Sequence, residues 1–121
     1  MVASRQILIH FTMAACVLLP RIAIAQGLTG ALIGTVQDDQ GAVVPGATVR
    51  IKSAALFGGV EQLITNEKGQ LRFPVLPPGS YVLDIEFRGL RPYHEEDIRI
   101  GAGATIERTA RLKLAGLNPQ V

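Results

Sequence analysis

Short runs in which apolar and polar residues alternate follow one another along the chain from residue 29 onward. Gly and Pro separate these runs at regular intervals, and none has the 3.6-residue period of an amphipathic helix. Short alternating strands with frequent turn signals are typical of an all-β sandwich or barrel. The pattern predicts seven strands, near residues 29–37, 47–54, 60–65, 70–76, 81–88, 98–100 and 104–114.

The fifth predicted strand has the clearest alternation. Its apolar side chains occupy every second position and are Tyr81, Leu83, Ile85 and Phe87. A slip by one residue would bring Asp84 and Glu86 into the core, so the register is firmly set. The same reasoning predicts that the fourth strand buries Leu71, Phe73 and Val75. The predicted core takes its members from most strands: Leu32, Val36, Val49, Ile51, Leu71, Phe73, Tyr81, Leu83, Ile85, Ile98, Ile106 and Leu112.

The turns are predicted from residues that favour them, namely Gly41, Pro45, Gly46, Gly69, Pro78 and Gly79. Gly accepts a positive φ without steric cost, whereas Pro fixes φ and removes a hydrogen-bond donor from the strand ladder. Tyr81 follows the Pro78-Gly79 turn, and we expect its ring in the core and its hydroxyl at a backbone group. Arg108 interrupts the apolar face of the seventh strand, which indicates an edge or a bulge there.

The first 25 residues are expected to be a secretory signal peptide. Arg5 supplies the positive start, an apolar stretch follows, and residues 23–25 (Ala-Ile-Ala) provide the small side chains that signal peptidase requires. Two alternatives remain open. A membrane anchor would need roughly 20 uninterrupted apolar residues, whereas His10 and Arg21 interrupt this stretch. Lipoprotein processing at Cys16 would leave an apolar mature N-terminus.

Removal of this segment would leave a chain without cysteine and without net charge. Cys16 is the only cysteine, and Arg5 and Arg21 also lie in the segment. Ten basic and ten acidic residues would then remain. This balance argues against nucleic-acid binding, because that function requires a basic surface. Export without cysteine fits a bacterial envelope better than a small eukaryotic secreted domain, which disulfides would stabilise. We therefore expect the mature chain in the periplasm, at the outer membrane or outside the cell.

One cluster of titratable residues stands out, His94–Asp97. A histidine beside carboxylates can bind a metal or act as a base. Since no second cluster supplies further ligands, we interpret it as a solvated strand end. Asp38–Gly41 lacks the alternating carboxylates of a calcium-binding loop and predicts a turn. The sequence thus predicts no catalytic residue, no metal site and no cofactor.

A contact patch is predicted around the one aromatic residue that is expected to be exposed. This residue is Tyr93, with Arg91 and His94 beside it. A protein partner or a neighbouring domain is the expected occupant. A glycan is the alternative, although sugar recognition usually relies on stacked aromatic side chains and the chain has no Trp.

Three stretches of the sequence, in order, resemble the motifs of one domain family. Residues 34–49 read GTVQDDQGAVVPGATV, residues 65–73 read TNEKGQLRF and residues 76–83 read LPPGSYVL. Each resembles a motif of carboxypeptidase regulatory-like domains, and the second has one residue more before Phe73 than the usual spacing. The three motifs together make the resemblance fairly specific, and it covers nearly the whole mature chain.

The resemblance implies a seven-stranded antiparallel Greek-key β-sandwich of the prealbumin (transthyretin-like) type. The domain would span residues 26–114, and residues 115–121 would form a tail or a linker. In bacteria, such domains often follow the signal peptide of TonB-dependent receptors, and they also occur on secreted peptidases and surface proteins. Related sandwiches bind carbohydrate. The family has no general catalytic residues to carry over, and a fold alone does not determine a function.

Three hypotheses about function follow. The first is a non-catalytic accessory module of the bacterial envelope, which is either complete or the N-terminal part of a longer receptor and touches the membrane only through that parent protein. The second is a stand-alone carbohydrate-binding-like module. The third, a small enzyme, has the least support because no catalytic constellation is present. An edge strand such as the seventh could also pair with another chain.

Overall fold

Seven β-strands form the regular structure of this computed structural model, which describes residues 28–116. They are β1 Gly30–Asp38, β2 Thr48–Lys52, β3 Val60–Ile64, β4 Gln70–Leu76, β5 Gly79–Glu86, β6 Tyr93–Ile100 and β7 Thr105–Leu112. The predicted signal peptide and residues 117–121 lie outside the described residues. Within the described part, no helix has the length and apolar character needed to cross a bilayer.

The strands form two sheets, as the sequence predicted. One sheet has the order β4-β1-β7 and the other the order β3-β2-β5-β6. All pairings within them are antiparallel except that of β1 with β7, which is parallel. The expectation of a wholly antiparallel fold therefore needs correction at this pair. A parallel pair cannot be joined by a tight hairpin, and β7 reaches β1 only after the chain has passed through the other sheet.

The core lies between the sheets and consists of side chains from both inner faces. Of the predicted core residues, Ile106 alone is not fully buried, and it still packs against the core. The structure adds further buried residues to this predicted core: Val44, Ala47, Leu56, Leu76, Ile100 and Ala110. Two of them, Val44 and Leu56, lie outside the strands in loops that fold back onto the core.

A bulge in β4 corrects the prediction that Val75 is buried, since its exposed fraction is 62%. Leu32 pairs with Phe73, but Gly30 pairs with Leu76, so β4 carries one extra residue between these pairs. The extra residue lets Leu76 take the inward position and turns Val75 outward. Pro74 lies at this bulge on an edge strand, where its missing N–H interrupts no ladder.

A second bulge lies in β6. Leu83 pairs with Glu95 while Tyr81 pairs with Ile98, so β6 also has one residue too many. Asp97 takes up the excess with a φ of 57°, a left-handed conformation that Asp tolerates better than most residues. The strand therefore directs Tyr93 and Glu95, then Ile98 and Ile100, to the inner face, which simple alternation cannot achieve.

The turn between β4 and β5 is held by Tyr81. Its ring is completely buried, and its hydroxyl donates a hydrogen bond to the carbonyl oxygen of Pro77 at 2.6 Å. Burial, with a smaller contribution from Glu61, raises the pKa of Tyr81, so the phenol keeps the proton that it donates. Phe87, the last apolar residue of the same alternation, follows β5 and is 38% exposed.

Of the predicted turn glycines, Gly41, Gly46 and Gly69 have positive φ values of 87°, 78° and 70°. Gly69 is also closely packed, because a Cβ atom there would lie 2.8 Å from the carbonyl oxygen of Val36. Pro45 lies between Val44 and Gly46 in the exposed turn that precedes β2, and Pro78-Gly79 leads into β5. These residues direct the chain between the sheets and carry no free reactive group.

Candidate functional site

The structure places Tyr93 and His94 on different faces of one strand and Arg91 in the loop that precedes it. Arg91 lies in the loop before β6, where its backbone N–H donates to the Lys113 carbonyl oxygen at 2.8 Å. Tyr93 and His94 are consecutive in a strand, so their side chains point to opposite faces of the sheet. Tyr93 is half-buried against the core, and the aromatic side chain that is fully exposed in the described segment is Phe57. The expectation that Tyr93 is the exposed aromatic is therefore wrong.

Tyr93 belongs to a small polar cluster where the two sheets meet at one side. The Arg108 side chain of β7 reaches Glu95 of β6, with Nε–Oε1 at 2.9 Å, and the Tyr93 hydroxyl donates to the other Glu95 oxygen at 3.3 Å. Burial first, and then the negative charge of Glu95, raise the pKa of Tyr93. Arg108, the exception on the apolar face, thus lies on an edge strand and contacts a bulged strand of the other sheet.

His94 is the second residue of β6 and is exposed on the outer face of the four-stranded sheet. Pairing aligns it with Asp84, Arg50 and Gln62 in one row across all four strands. We call these four residues the charged row. Arg50 Nε donates to Gln62 Oε1 at 2.9 Å, and His94 Nδ1 contacts Asp84 Oδ1. Gln62 and His94 are exposed, whereas Arg50 and Asp84 are partly buried.

The contacts of His94 decide its protonation. Its Nε2 lies 3.0 Å from Glu96 Oε1. Asp84 also forms an ion pair with Lys52, with Oδ2 and Nζ 3.5 Å apart. The hydrogen bonds with Glu96 first and Asp84 second raise the pKa of His94, while the hydrogen bond with His94 lowers the pKa of Asp84. Both imidazole nitrogens therefore face carboxylates and favour the doubly protonated ring, which has no lone pair for a metal or a proton.

The other carboxylate considered as a functional group, that of Asp38, stabilises the local structure. Asp38 Oδ1 accepts hydrogen bonds from the backbone N–H groups of Gln40 and Ala42, both at 2.9 Å. This carboxylate thus holds the turn, as a short polar side chain commonly does. Within residues 28–116 no group of three His, Cys, Asp or Glu side chains has an arrangement that could hold a metal ion.

The outer face of the three-stranded sheet carries an open depression of about 770 Å³. Ile33 lies at its centre, between Arg72 of β4 and Glu107 of β7. The lining is otherwise mostly small or polar and includes no aromatic residue. Hydrogen-bonding groups are available to a ligand here, but there is no ring on which a sugar could stack.

The outward edge of β3 is a feature that the sequence reasoning missed. Val60 and Ile64 are 47% and 56% exposed, and Phe57 lies fully exposed in the turn before the strand. We call the backbone and side chains of Val60, Gln62 and Ile64 the β3 edge. A signal was present in the sequence, since this short strand contains neither Pro nor Gly and no repeated charge at its outward positions.

The four-stranded sheet packed on a three-stranded sheet with a parallel β1–β7 pair defines the class of this domain as a transthyretin-like β-sandwich. Residues 31–113 match the carboxypeptidase regulatory-like domain family. The chain belongs to this family, and the resemblance carried by its three sequence motifs is confirmed.

One curated relative is the TonB-dependent transporter Oar of Myxococcus xanthus. It is 32% identical over 90 residues, which cover 74% of this chain but 8% of the transporter. The chain thus spans a small part of the length of the relative that it matches.

Similar folds occur among solved structures. A candidate carbohydrate binding protein from Bacteroides uniformis matches 71% of this chain and 42% of its own, with a TM-score of 0.57 and 15% identity. Catechol 1,2-dioxygenase from Pseudomonas arvilla matches 81% of this chain and 56% of its own, with a TM-score of 0.58 and 14% identity. At such identities the likeness shows the fold alone.

Proposed function

We propose that this chain is a non-catalytic accessory module of the bacterial cell envelope and forms the N-terminal part of a TonB-dependent receptor-like protein. The observation that carries the proposal is the 32% identity with a TonB-dependent transporter over 74% of this chain. Family membership and the predicted signal peptide, residues 1–25, agree with an exported module. The module would touch the membrane only through its parent protein.

The chemistry of the described residues supports a role in binding. The histidine is held between two carboxylates on an open face, and Asp38 is bound to its own turn. A nucleophile paired with a base would be needed for covalent catalysis, and the described side chains form no such pair. The proposed partner is a protein or a neighbouring domain of the parent, without nucleic acid and without a cofactor.

Immunoblotting of fractionated source cells tests this proposal. An antiserum raised against residues 28–116 should detect a band far larger than the 12.9 kDa of this chain in the outer-membrane fraction. Markers of the inner membrane and the periplasm provide the controls. A band of 12.9 kDa or less in a soluble fraction would contradict the receptor assignment.

Export is tested separately by fusing residues 1–27 to alkaline phosphatase, which becomes active only after it reaches the periplasm. We expect activity from the fusion, and we expect its loss when charged residues replace the apolar stretch of residues 13–19. An inactive fusion, made at a normal level, would place the chain in another compartment.

The second candidate is a carbohydrate-binding-like module, which the depression around Ile33 favours through its hydrogen-bonding lining. Saturable binding on a glycan array that is lost in Arg72→Ala would support it over the receptor module. The lack of an aromatic platform is the reason for placing it second.

A further inference from the structure

The four sheet edges of the described domain differ in how they resist pairing with another strand. Edge strands expose unpaired N–H and C=O groups, and proteins protect them with Pro, bulges or charges. β4 has Pro74 and a bulge, β6 has the bulge at Asp97, and β7 carries a row of charged side chains. β3 has neither Pro nor a bulge, its single charged side chain is Glu61, and it exposes two apolar side chains.

The hydrogen bonds that flank β3 determine which of its backbone groups face outward. The Ser53 N–H donates to the Gly59 carbonyl oxygen at 3.0 Å, and the Thr65 N–H donates to the Ala47 carbonyl oxygen at 2.9 Å. In the observed antiparallel register, hydrogen-bonded pairs alternate with pairs that are not hydrogen-bonded. The odd-numbered residues of β3 therefore bond to β2, and the N–H and C=O groups of Val60, Gln62 and Ile64 face away from it.

We propose that the β3 edge pairs antiparallel with the same edge of a second copy of this chain, about a two-fold axis through Gln62. In this register Gln62 faces Gln62 of the second copy, and Val60 faces Ile64. Each facing pair consists of residues whose backbone groups point outward, so each exchanges two hydrogen bonds. The two four-stranded sheets become one continuous sheet.

Side-chain chemistry selects this register over its neighbours. The proposed axis sets Glu61 of each copy against Leu63 of the other and matches the exposed Val60 with the exposed Ile64. An axis through Glu61 would bring two carboxylates face to face, and like charges that lie directly opposite destabilise a sheet. An axis through Leu63 would set Val60 against Asn66, which lies beyond the end of β3. A two-fold interface must be self-complementary, and the Val60–Ile64 and Gln62–Gln62 pairs satisfy this requirement.

Sedimentation velocity of the full purified chain, from about 1 to 300 µM, tests the proposal because weak dimers fall in this range. We expect a monomer–dimer equilibrium. Gln62→Pro removes an outward N–H and leaves the backbone bonds to β2 intact, although the side-chain bond from Arg50 is lost. It should raise the dissociation constant at least about tenfold. Gln62→Ala, the matched control, keeps the N–H and should dimerise like the wild type. Circular dichroism verifies that each variant is folded.

Two double variants test the register. V60K/I64K sets lysine against lysine twice and should weaken the dimer at least about tenfold. V60K/I64E sets lysine against glutamate in the antiparallel register and should return the dissociation constant to within about threefold of the wild type. In a parallel register the second variant would still oppose like charges and would not recover.

Several results would overturn the proposal. They are a monomer at every concentration, a dimer that Gln62→Pro leaves unchanged, and failure of V60K/I64E to recover. Protection of the outward β3 amides in the dilute monomer would also overturn it, because another segment of the same chain would then cover the edge. The receptor assignment concerns the parent protein, so it can fail or hold independently of these outcomes.

Discussion

β3 and β6 form the two edges of the same four-stranded sheet, yet they are held in different ways. β6 inserts Ile98 and Ile100 into the core, which leaves both almost completely buried, and it contacts β7 through the Glu95–Arg108 ion pair. β3 has no fully buried side chain along its length. The comparison teaches that one edge is fixed by the sandwich interior, whereas the other is held mainly by its ladder with β2 and remains available for contact.

The largest expected effect comes from removing a core side chain of β6. Ile98→Ala should lower the free energy of unfolding by about 2–5 kcal/mol, because it leaves a cavity between the sheets. Leu63→Ala, at the half-buried position of β3, should cost about 1 kcal/mol. Urea denaturation followed by circular dichroism measures both. Equal losses would show that the two edges contribute equally to the core.

The next effect concerns the residue that anchors the end of β3. Thr65 is 4% exposed, and its hydroxyl accepts from the Ala47 N–H at 2.8 Å and donates to the Val44 carbonyl oxygen at 2.7 Å. Thr65→Val should lower the unfolding free energy by about 1–3 kcal/mol, since both buried backbone groups lose a partner. Thr65→Ser keeps the hydroxyl and should lose about 0.8 kcal/mol for the missing methyl group. A Val variant as stable as the Ser variant would contradict this anchoring role.

The β6 bulge can be tested at Asp97, whose φ is 57°. Asp97→Val should lower the unfolding free energy by about 1–2 kcal/mol, because a branched side chain clashes in the left-handed conformation. Asp97→Gly adopts that conformation freely and should leave stability nearly unchanged. Thermal denaturation of the pair separates the two cases, and a Val variant as stable as the Gly variant would rule out the strain.

The smallest effect is electrostatic and concerns His94. Its pKa is raised by Glu96 and Asp84, so its bound proton stabilises the fold below the usual histidine pKa of about 6.5, and this contribution is lost as the pH rises through the raised value. The lowered pKa of Asp84 makes its contribution present above the usual aspartate value and lost as the pH falls through the lowered one. The pair therefore stabilises the fold most at pH values between the usual aspartate pKa and the usual histidine pKa.

His94→Gln should accordingly destabilise the protein more at about pH 6 than at about pH 8. An NMR titration of His94 should have its midpoint above the usual value, and Asp84→Asn should lower that midpoint. Val82→Thr, on the same outer face, is the control and should leave the midpoint unchanged. A midpoint at or below the usual value would show that Glu96 and Asp84 do not stabilise charged His94. β6 would then have no electrostatic stabilisation at this residue that β3 lacks.

Much of the interior followed from the sequence because strict alternation determines which face is buried. In β5, a shift by one residue would bury Asp84. Burial of Tyr81, Leu83 and Ile85 was therefore predictable from the sequence. The turns followed from Gly residues in positive φ conformations, such as Gly41 and Gly69.

The errors lie where an extra residue breaks the period of two. Val75 and Leu76 exchange faces at a bulge, and Pro74 beside them was the local signal for it. Tyr93 was expected to be exposed beside His94, but neighbouring residues in a strand face opposite ways, and Tyr93 packs against the core. The β3 edge was missed because its importance depends on what the other three edges contain, which is a property of the assembled sheets.

Residue-resolved hydrogen exchange at two protein concentrations tests most directly whether the β3 edge is the contact surface. In dilute solution the amides of Gln62 and Ile64 should exchange quickly. In concentrated solution they should become protected, while the edge amides of β6 remain unchanged. Exchange at β3 that is independent of concentration, or new protection that appears at β6 instead, would contradict the account.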